Sequence, residues 1–265
     1  MNVAARLAAV LLIWAAASAA TAQTKRPTPP DRRPDFERSL QAVVVTTPDW
    51  DSIRGTARLF ERANARSRWK EVGEAFPVVV GRSGLAWSHD PKPYGNGRSD
   101  PENHFTPKRE GDGRSPAGIF PLTFAFGRAA KSLNERLEYK PLGEFTECVD
   151  DVDSTHYNRV VDRLKVGIFD WQSSEKMLEV GEQYDLGVFV AYNSYPAPVS
   201  GRGSCIFLHI WKDAETGTAG CTAMSREDLE RLVKWLDPKK NPHLIQLPEP
   251  EYKAYRKTWK LPKID

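Results

Sequence analysis

The sequence predicts a mainly β fold with two or three flanking helices, and three observations predict it. Runs of β-branched and apolar residues recur along the chain, as LQAVVVTT at 40–47, PVVVG at 77–81 and SCIFLHIW at 204–211. Trp 8, Tyr 8 and Phe 11 suit a β-rich core or a substrate cleft. Helical spacing of apolar residues is confined to two stretches, 49–66 and 225–236.

Composition bounds the function before any motif is read. The chain has 265 residues, room for one large domain or two small ones with a sizeable core. Its 40% hydrophobic and 28% charged content excludes a multi-pass membrane protein and wholesale disorder. The formal charge is only +3, and no long basic block exists, which disfavours a nucleic-acid partner.

The first segment reads as an export signal. Residues 1–22 place Arg6 before an apolar run from Leu7 to about Ala20, and Ala20-Thr21-Ala22 closes it with a cleavage pattern. The run of ~14 residues is short of the ~20 that cross hydrocarbon, so cleavage after Ala22 is expected rather than anchoring. No later segment is long and apolar enough to span a bilayer, so a periplasmic or secreted protein is expected. Residues 23–38, rich in Pro and charge, read as a tether. One domain is expected over 39–265.

Within that domain the elements follow in order. Residues 40–47 read as a strand. Residues 49–66 carry Ile53, Ala57, Phe60 and Ala63 near helical spacing behind Asp49 as a cap, which predicts a helix. Residues 69–87 read as strand, turn, strand. The Gly/Pro/charge-rich stretch 88–118 reads as a functional loop bordering a cleft. Short strands are expected near 119–126, 164–170, 184–192 and 204–211. Ser225 opens a helix with Asp228 three residues on, and Leu229, Leu232, Val233 and Leu236 form its apolar face. Asp237-Pro238 ends it, and a Pro/charge-rich tail is expected to residue 265.

Several chemistries fail on residue pattern. The five His are scattered with no paired H-x-x-x-H, so no metal site and no cofactor is expected. Asp153 and His156 are three apart, and a surface polar pair is the expected reading. There is no G-x-S-x-G, and the S-x-x-K spacing at Ser67/Lys70 and Ser173/Lys176 has no K-T-G partner. Gly201-Arg202-Gly203 starts a dinucleotide fingerprint but leads into a strand instead of a helix.

What remains is a Cys–His pair. His209 ends an apolar strand, and Thr218-Ala219-Gly220-Cys221 follows after a turn. A thiol becomes a useful nucleophile when a base takes its proton. A strand carrying the His, a turn and a Gly-Cys step bring the two within reach, and Gly220 permits a tight turn. The Gly220 and Cys221 amides are expected to face a developing oxyanion. The same residues also fit a core His and a buried, inert Cys.

At these residues the sequence resembles the L,D-transpeptidase (YkuD-like) catalytic domain, whose signature is a strand-end His, a loop and [Ser/Thr]-x-Gly-Cys. A second stretch, Gly111 to Phe120 (GDGRSPAGIF), is similar to the family's [Thr/Ser]-Pro-x-Gly-x-Phe/Tyr segment. The similarity covers about residues 75–236. It implies a β-sandwich-like fold and a cysteine acyltransferase acting on peptidoglycan stem peptides, with carbapenem-type β-lactams as inhibitors. Carried over by position, Cys221 is the nucleophile, His209 the general base and then acid, and Thr218 and Gly220 shape the loop.

The departures concern the substrate. Ala219 and Ala223 stand where the family has a His or Lys and an Arg, and the twelve-residue His–Cys spacing is short. Arg114 and Lys212, with Arg109 and Lys108, are expected to supply the missing grip on a carboxylate. If Cys221 stays free, Cys148 and Cys205 are left to pair, closing a loop of about 58 residues and stabilising the fold by about 4 kcal/mol. Two other functions fit the same family: an L,D-carboxypeptidase or peptidase hydrolysing stems, and a non-catalytic wall-binding module.

Overall fold

The computed structural model describes residues 35–88, 107–194 and 197–264, all within one compact unit spanning residues 33–265. The expected export signal, most of the tether and residues 89–106 of the irregular stretch lie outside the described residues. In chain order the elements are α1 (Asp35–Arg38), β1 (Gln41–Thr47), β2 (Arg54–Glu61), β3 (Lys70–Val79), β4 (Leu85–Trp87), β5 (Ser115–Gly127), β6 (Tyr139–Pro141), β7 (Thr146–Val149), β8 (Val160–Asp162), β9 (Ser174–Lys176), β10 (Leu186–Val190), β11 (Phe207–Ile210), β12 (Thr222–Met224), α2 (Arg226–Trp235), β13 (His243–Pro248) and α3 (Glu249–Tyr255).

The mainly β fold with three helices is the one the sequence predicts. Its hydrogen-bonded ladder runs β10-β11-β12-β3-β2-β1-β13-β5, and β5 pairs back onto β10, so the ladder closes on itself. β8, β7 and β9 form a separate small sheet in the order β8-β7-β9. α2 packs on β10 and β11, and α3 on β13 and β1. Leu229, Leu232 and Val233 of α2 are fully buried, at roughly 2 kcal/mol of apolar transfer each. Ser225 Oγ accepts from the Asp228 amide as the helix cap. Among the described residues, no helix is long and apolar enough to cross a membrane.

The structure corrects four local expectations. Residues 54–61 form β2, not a helix, pairing antiparallel with β1 and β3. β2 keeps even register with β1, the register shift opposite Ala57 and Leu59 taking its extra residues from β3, so Leu59 and Phe60 point to opposite faces and both are buried. Burial on both faces hides the apolar/polar alternation of a half-buried strand and leaves the apolar residues near helical spacing. Asp49 caps a turn instead, its Oδ1 accepting from the Asp51 and Ser52 amides and from Ser52 Oγ. Residues 164–170 are not a strand; Leu164, Ile168 and Phe169 are exposed there. The tail contains β13, wholly buried between β1 and β5. Finally, the fold begins inside the segment read as a tether: Phe36 is buried and stacks on Trp69.

Two apolar clusters result. The larger fills the closed ladder and the α2 and α3 interfaces. The smaller gathers Phe126, Met177, Tyr184, Phe189, Phe207 and Cys221, with the disulfide cysteines Cys148 and Cys205. Gly187, opposite both Phe126 and His209 in the ladder, makes room for it. A Cβ at 187 would stand 2.2 Å from the Phe126 ring.

Candidate active site

β11 and β12 run parallel, with Leu208 opposite Thr222 and His209 opposite Ala223. Alternation along the strands then sets Phe207, His209, Cys221 and Ala223 on one face. Parallel neighbours need a crossover, and residues 211–221 provide it. The twelve-residue His–Cys spacing is the length of that crossover. The loop is stitched to the end of β3: Thr218 donates through its amide to the Val80 carbonyl, and the Arg82 amide donates to the Thr218 carbonyl.

The peptide carrying Cys221 is held by hydroxyls. Its carbonyl accepts from Ser115 Oγ at 2.7 Å and from Thr218 Oγ1 at 2.6 Å. Ser115 Oγ also accepts from the Gly81 amide at 2.8 Å. The Ser-Pro-Ala-Gly segment at 115–118 and the Thr-Ala-Gly-Cys segment at 218–221 thus meet at one carbonyl. Gly220 does not have a positive φ. A Cβ there would press on the Arg114 carbonyl, at 3.2 Å. The expected pair of oxyanion amides is not arranged as read from sequence, because the Gly220 amide donates to Thr218 Oγ1 at 3.1 Å.

Cys148 and Cys205 form a disulfide, 57 residues apart in sequence, and Cys221 is a free, buried thiol. Cys205 takes a positive φ of 54°, a conformation costly for a side chain with a Cβ. Its amide is secured by donating to Asn158 Oδ1 at 3.0 Å. Its carbonyl is thereby aimed at the thiol, which donates to it at 3.3 Å. The Phe207 amide donates to Cys221 Sγ at 3.3 Å.

A family model for the L,D-transpeptidase catalytic domain matches residues 56–245. This chain belongs to that family. The match takes in most of β2 and the first half of β13 as well as the 75–236 stretch that the motifs indicate. No curated protein and no solved structure matches the chain. The family's enzymes are cysteine-dependent transpeptidases acting on peptidoglycan peptides, and Cys221 is the free cysteine of this transpeptidase domain.

His209 sits on β11, not in a solvent-facing position. It is buried, and burial pulls its pKa down to about 4 against the opposing pull of the Ile210 carbonyl. Nδ1 lies 2.8 Å from that carbonyl, an acceptor only, so Nδ1 carries the proton and Nε2 is bare. Burial likewise pushes the Cys221 thiol far up, helped by the charge of Glu175 and opposed by the Phe207 amide and the Lys108 charge. The resting pair is therefore a neutral thiol and a neutral imidazole. Among the described residues no hydrogen bond joins them; the Tyr184 ring packs edge-on to the imidazole, 5.3 Å between centroids, and shares an apolar cluster with Cys221.

The cleft over Cys221 has a volume of about 170 Å3. Glu110, Asp150 and Glu175 line it on the acidic side, Arg82 and Lys108 on the basic side. Lys108 is buried and donates to Asp112 Oδ1 and the Arg109 carbonyl. A larger depression of about 520 Å3 beside α2 is lined by that helix's own charged residues and Trp235, with no nucleophile or base.

Of the cations read as substrate-binding, Arg114 and Lys212 do not line the cleft. The Arg114 guanidinium donates to the Trp50 and Leu85 carbonyls and to Asp51, and Lys212 is exposed. Lys108 does line it, as does Arg82, which no local motif marks. Residues 107–114 reach the cleft, as expected of the 88–118 stretch, but Ser115 onward is β5. His156 pairs with Asp170 instead of Asp153. Among the described residues no group of three His, Cys, Asp or Glu is placed to hold a metal ion.

Proposed function

We propose that this domain is a peptidoglycan L,D-transpeptidase that works through a thioester on Cys221. His209 Nε2 takes the thiol proton once a stem peptide fills the cleft. Sγ attacks the carbonyl on the L-centre of the diamino acid that precedes the terminal D-Ala. The C–S bond forms, the C–N bond breaks, and the imidazolium returns its proton to the departing D-Ala amine. An amine of a neighbouring stem then displaces the sulfur and gives the cross-link.

The observation that carries this reading is the free thiol lining the cleft on the same sheet face as an imidazole whose Nδ1 is committed to the Ile210 carbonyl. That commitment fixes the tautomer that a base needs. The neutral resting pair suits a general-base mechanism in which charge separates only when substrate excludes water. The acidic wall at Glu110 and Asp150 favours an ammonium-bearing acceptor over water. Export through residues 1–22 to the periplasm or beyond would bring the enzyme to its substrate.

Purified tetrapeptide-stem muropeptide, incubated with the enzyme and separated by mass, is expected to give a cross-linked dimer with release of D-Ala. A shortened monomer without dimer would make the protein a carboxypeptidase. Unchanged substrate would favour a wall-binding module.

A further inference from the structure

Two basic side chains line the cleft over Cys221, and they differ in what they already hold. Lys108 donates to Asp112 Oδ1 and to the Arg109 carbonyl. Arg82 is exposed, and among the described residues its guanidinium meets no acidic group and donates no hydrogen bond. Its fork of donors is open to a ligand.

The backbone under Arg82 is rigidly fixed. Gly81-Arg82-Ser83-Gly84 is the tight turn after β3, closed by the Gly84 amide donating to the Gly81 carbonyl at 2.7 Å. The Arg82 amide donates to the Thr218 carbonyl at 2.7 Å, and the Ser83 amide to the Gly113 carbonyl at 3.0 Å. The turn is therefore tied to both segments that frame the thiol. Two glycines then make room for the side chain and its backbone. A Cβ at 217 would stand 2.6 Å from Arg82 Cα, and one at 113 would stand 3.1 Å from Arg82 Cζ and Nε. Gly113 is thus a bare floor under the guanidinium. The carbonyl of the next residue, Arg114, borders Gly220, the neighbour of the nucleophile. One short strip, 113–114, carries the guanidinium at one end and touches the Gly-Cys step at the other.

The rest of the cleft is acidic. Glu110, Asp150 and Glu175 line it as well, so an anion entering without Arg82 would meet a repulsive field. A tetrapeptide stem has to bring an anion in. Its terminal D-Ala carboxyl carbon is only three bonds from the carbonyl carbon that Sγ attacks. In a cleft of about 170 Å3, a group so close to the attacked carbon enters with it.

We propose that Arg82 is a specificity-determining residue of the donor site, its guanidinium forking onto the terminal carboxylate of the stem and so holding the scissile carbonyl over Cys221. The proposal rests on the transpeptidase reading above and adds no covalent step. The carboxylate is gripped in the ground state and the transition state alike, so the effect appears mainly in KM.

The test uses three forms of one tetrapeptide stem: the free acid, the stem amidated at its terminal carboxyl, and the stem amidated at the side-chain carboxyl of its diamino acid. Release of D-Ala, or of its amide, gives kcat and KM. Wild type is expected to favour the free acid over the terminal amide by about ten- to a hundredfold in kcat/KM, the range of a hydrogen bond to a charged group. It should use the side-chain amide as well as the free acid. Arg82→Ala is expected to lose the preference through a raised KM for the free acid. Arg82→Lys, which keeps the charge without the fork, should fall between the two.

A wild type that takes the free acid and the terminal amide equally, or an Arg82→Ala enzyme that keeps the preference, would overturn the proposal. So would a preference that follows the side-chain carboxyl. The comparison of stems on wild type needs no variant, so a folding defect in Arg82→Ala leaves the answer intact. If Cys221 is acylated but the stems are not told apart, only this inference falls. If wild type forms no thioester on Cys221 with any stem or with a carbapenem, the nucleophile reading falls with it.

Discussion

Replacing Cys148 and Cys205 together by serine is expected to remove about 4 kcal/mol of stability, which for a domain of this size lowers the melting temperature by roughly 10 °C. The bridge closes a loop of 57 residues' separation, and most of its effect comes from the unfolded chain it constrains. The folded state suffers as well. Cys205 holds a positive φ while its carbonyl receives the thiol of Cys221. Cys148 lies on β7, paired with Glu175 of β9, so the bridge ties the small sheet to Cys205 beside the thiol. The variant should therefore also acylate more slowly even where it is folded. Calorimetry and carbapenem labelling of the same sample check both. A melting point within 2 °C of the wild type would show that the bridge contributes little.

His209→Ala is expected to lower the rate of Cys221 acylation by about 10²- to 10⁴-fold, the range of a positioned general base. Unlike an exposed strand-end residue, this imidazole is buried and bonded to Ile210, so the variant should also lose about 1–3 kcal/mol of stability. The pH dependence has a definite sign. The folded-state pKa is about 4, below the unfolded value, so the unfolded chain binds the extra proton between the two. The stabilisation from a neutral His209 is fully present above about pH 6.5 and is lost as pH falls toward 4, of order 3 kcal/mol in all. Melting curves of wild type and His209→Ala at pH 7 and pH 4.5 should therefore converge as pH falls. A gap that stays constant would contradict the buried neutral imidazole.

What was legible in the sequence follows a physical pattern. β1, the end of β3, β11 and α2 announce themselves because each has a local signal: β-branched runs for the strands, a Ser cap and an apolar stripe for the helix. β2 was hidden because it is covered on both faces at its end, so Leu59 and Phe60 are both buried and no two-residue alternation shows. β13 was hidden by the prolines around it, although Gln246 within it holds Thr222 Oγ1 and the Pro116 carbonyl and so ties β12 to β5.

The same distinction holds in the site. His209, Cys221, Thr218 and Gly220 sit in one short motif and could be found by eye. Tyr184 and Glu175 come from distant segments, assembled by a disulfide and a small sheet, and no local spacing points to them. Arg114 illustrates the reverse error: a cation next to a recognised motif whose guanidinium is occupied by Trp50, Leu85 and Asp51.

The most direct measurement is the intact mass of the protein after exposure to a carbapenem, for wild type and for Cys221→Ala. A single covalent adduct on the wild type, mapped to Cys221 and missing from a folded Cys221→Ala, is the predicted result. A folded wild type that stays unmodified, or an adduct that persists in Cys221→Ala, would contradict the assignment of Cys221 as the nucleophile.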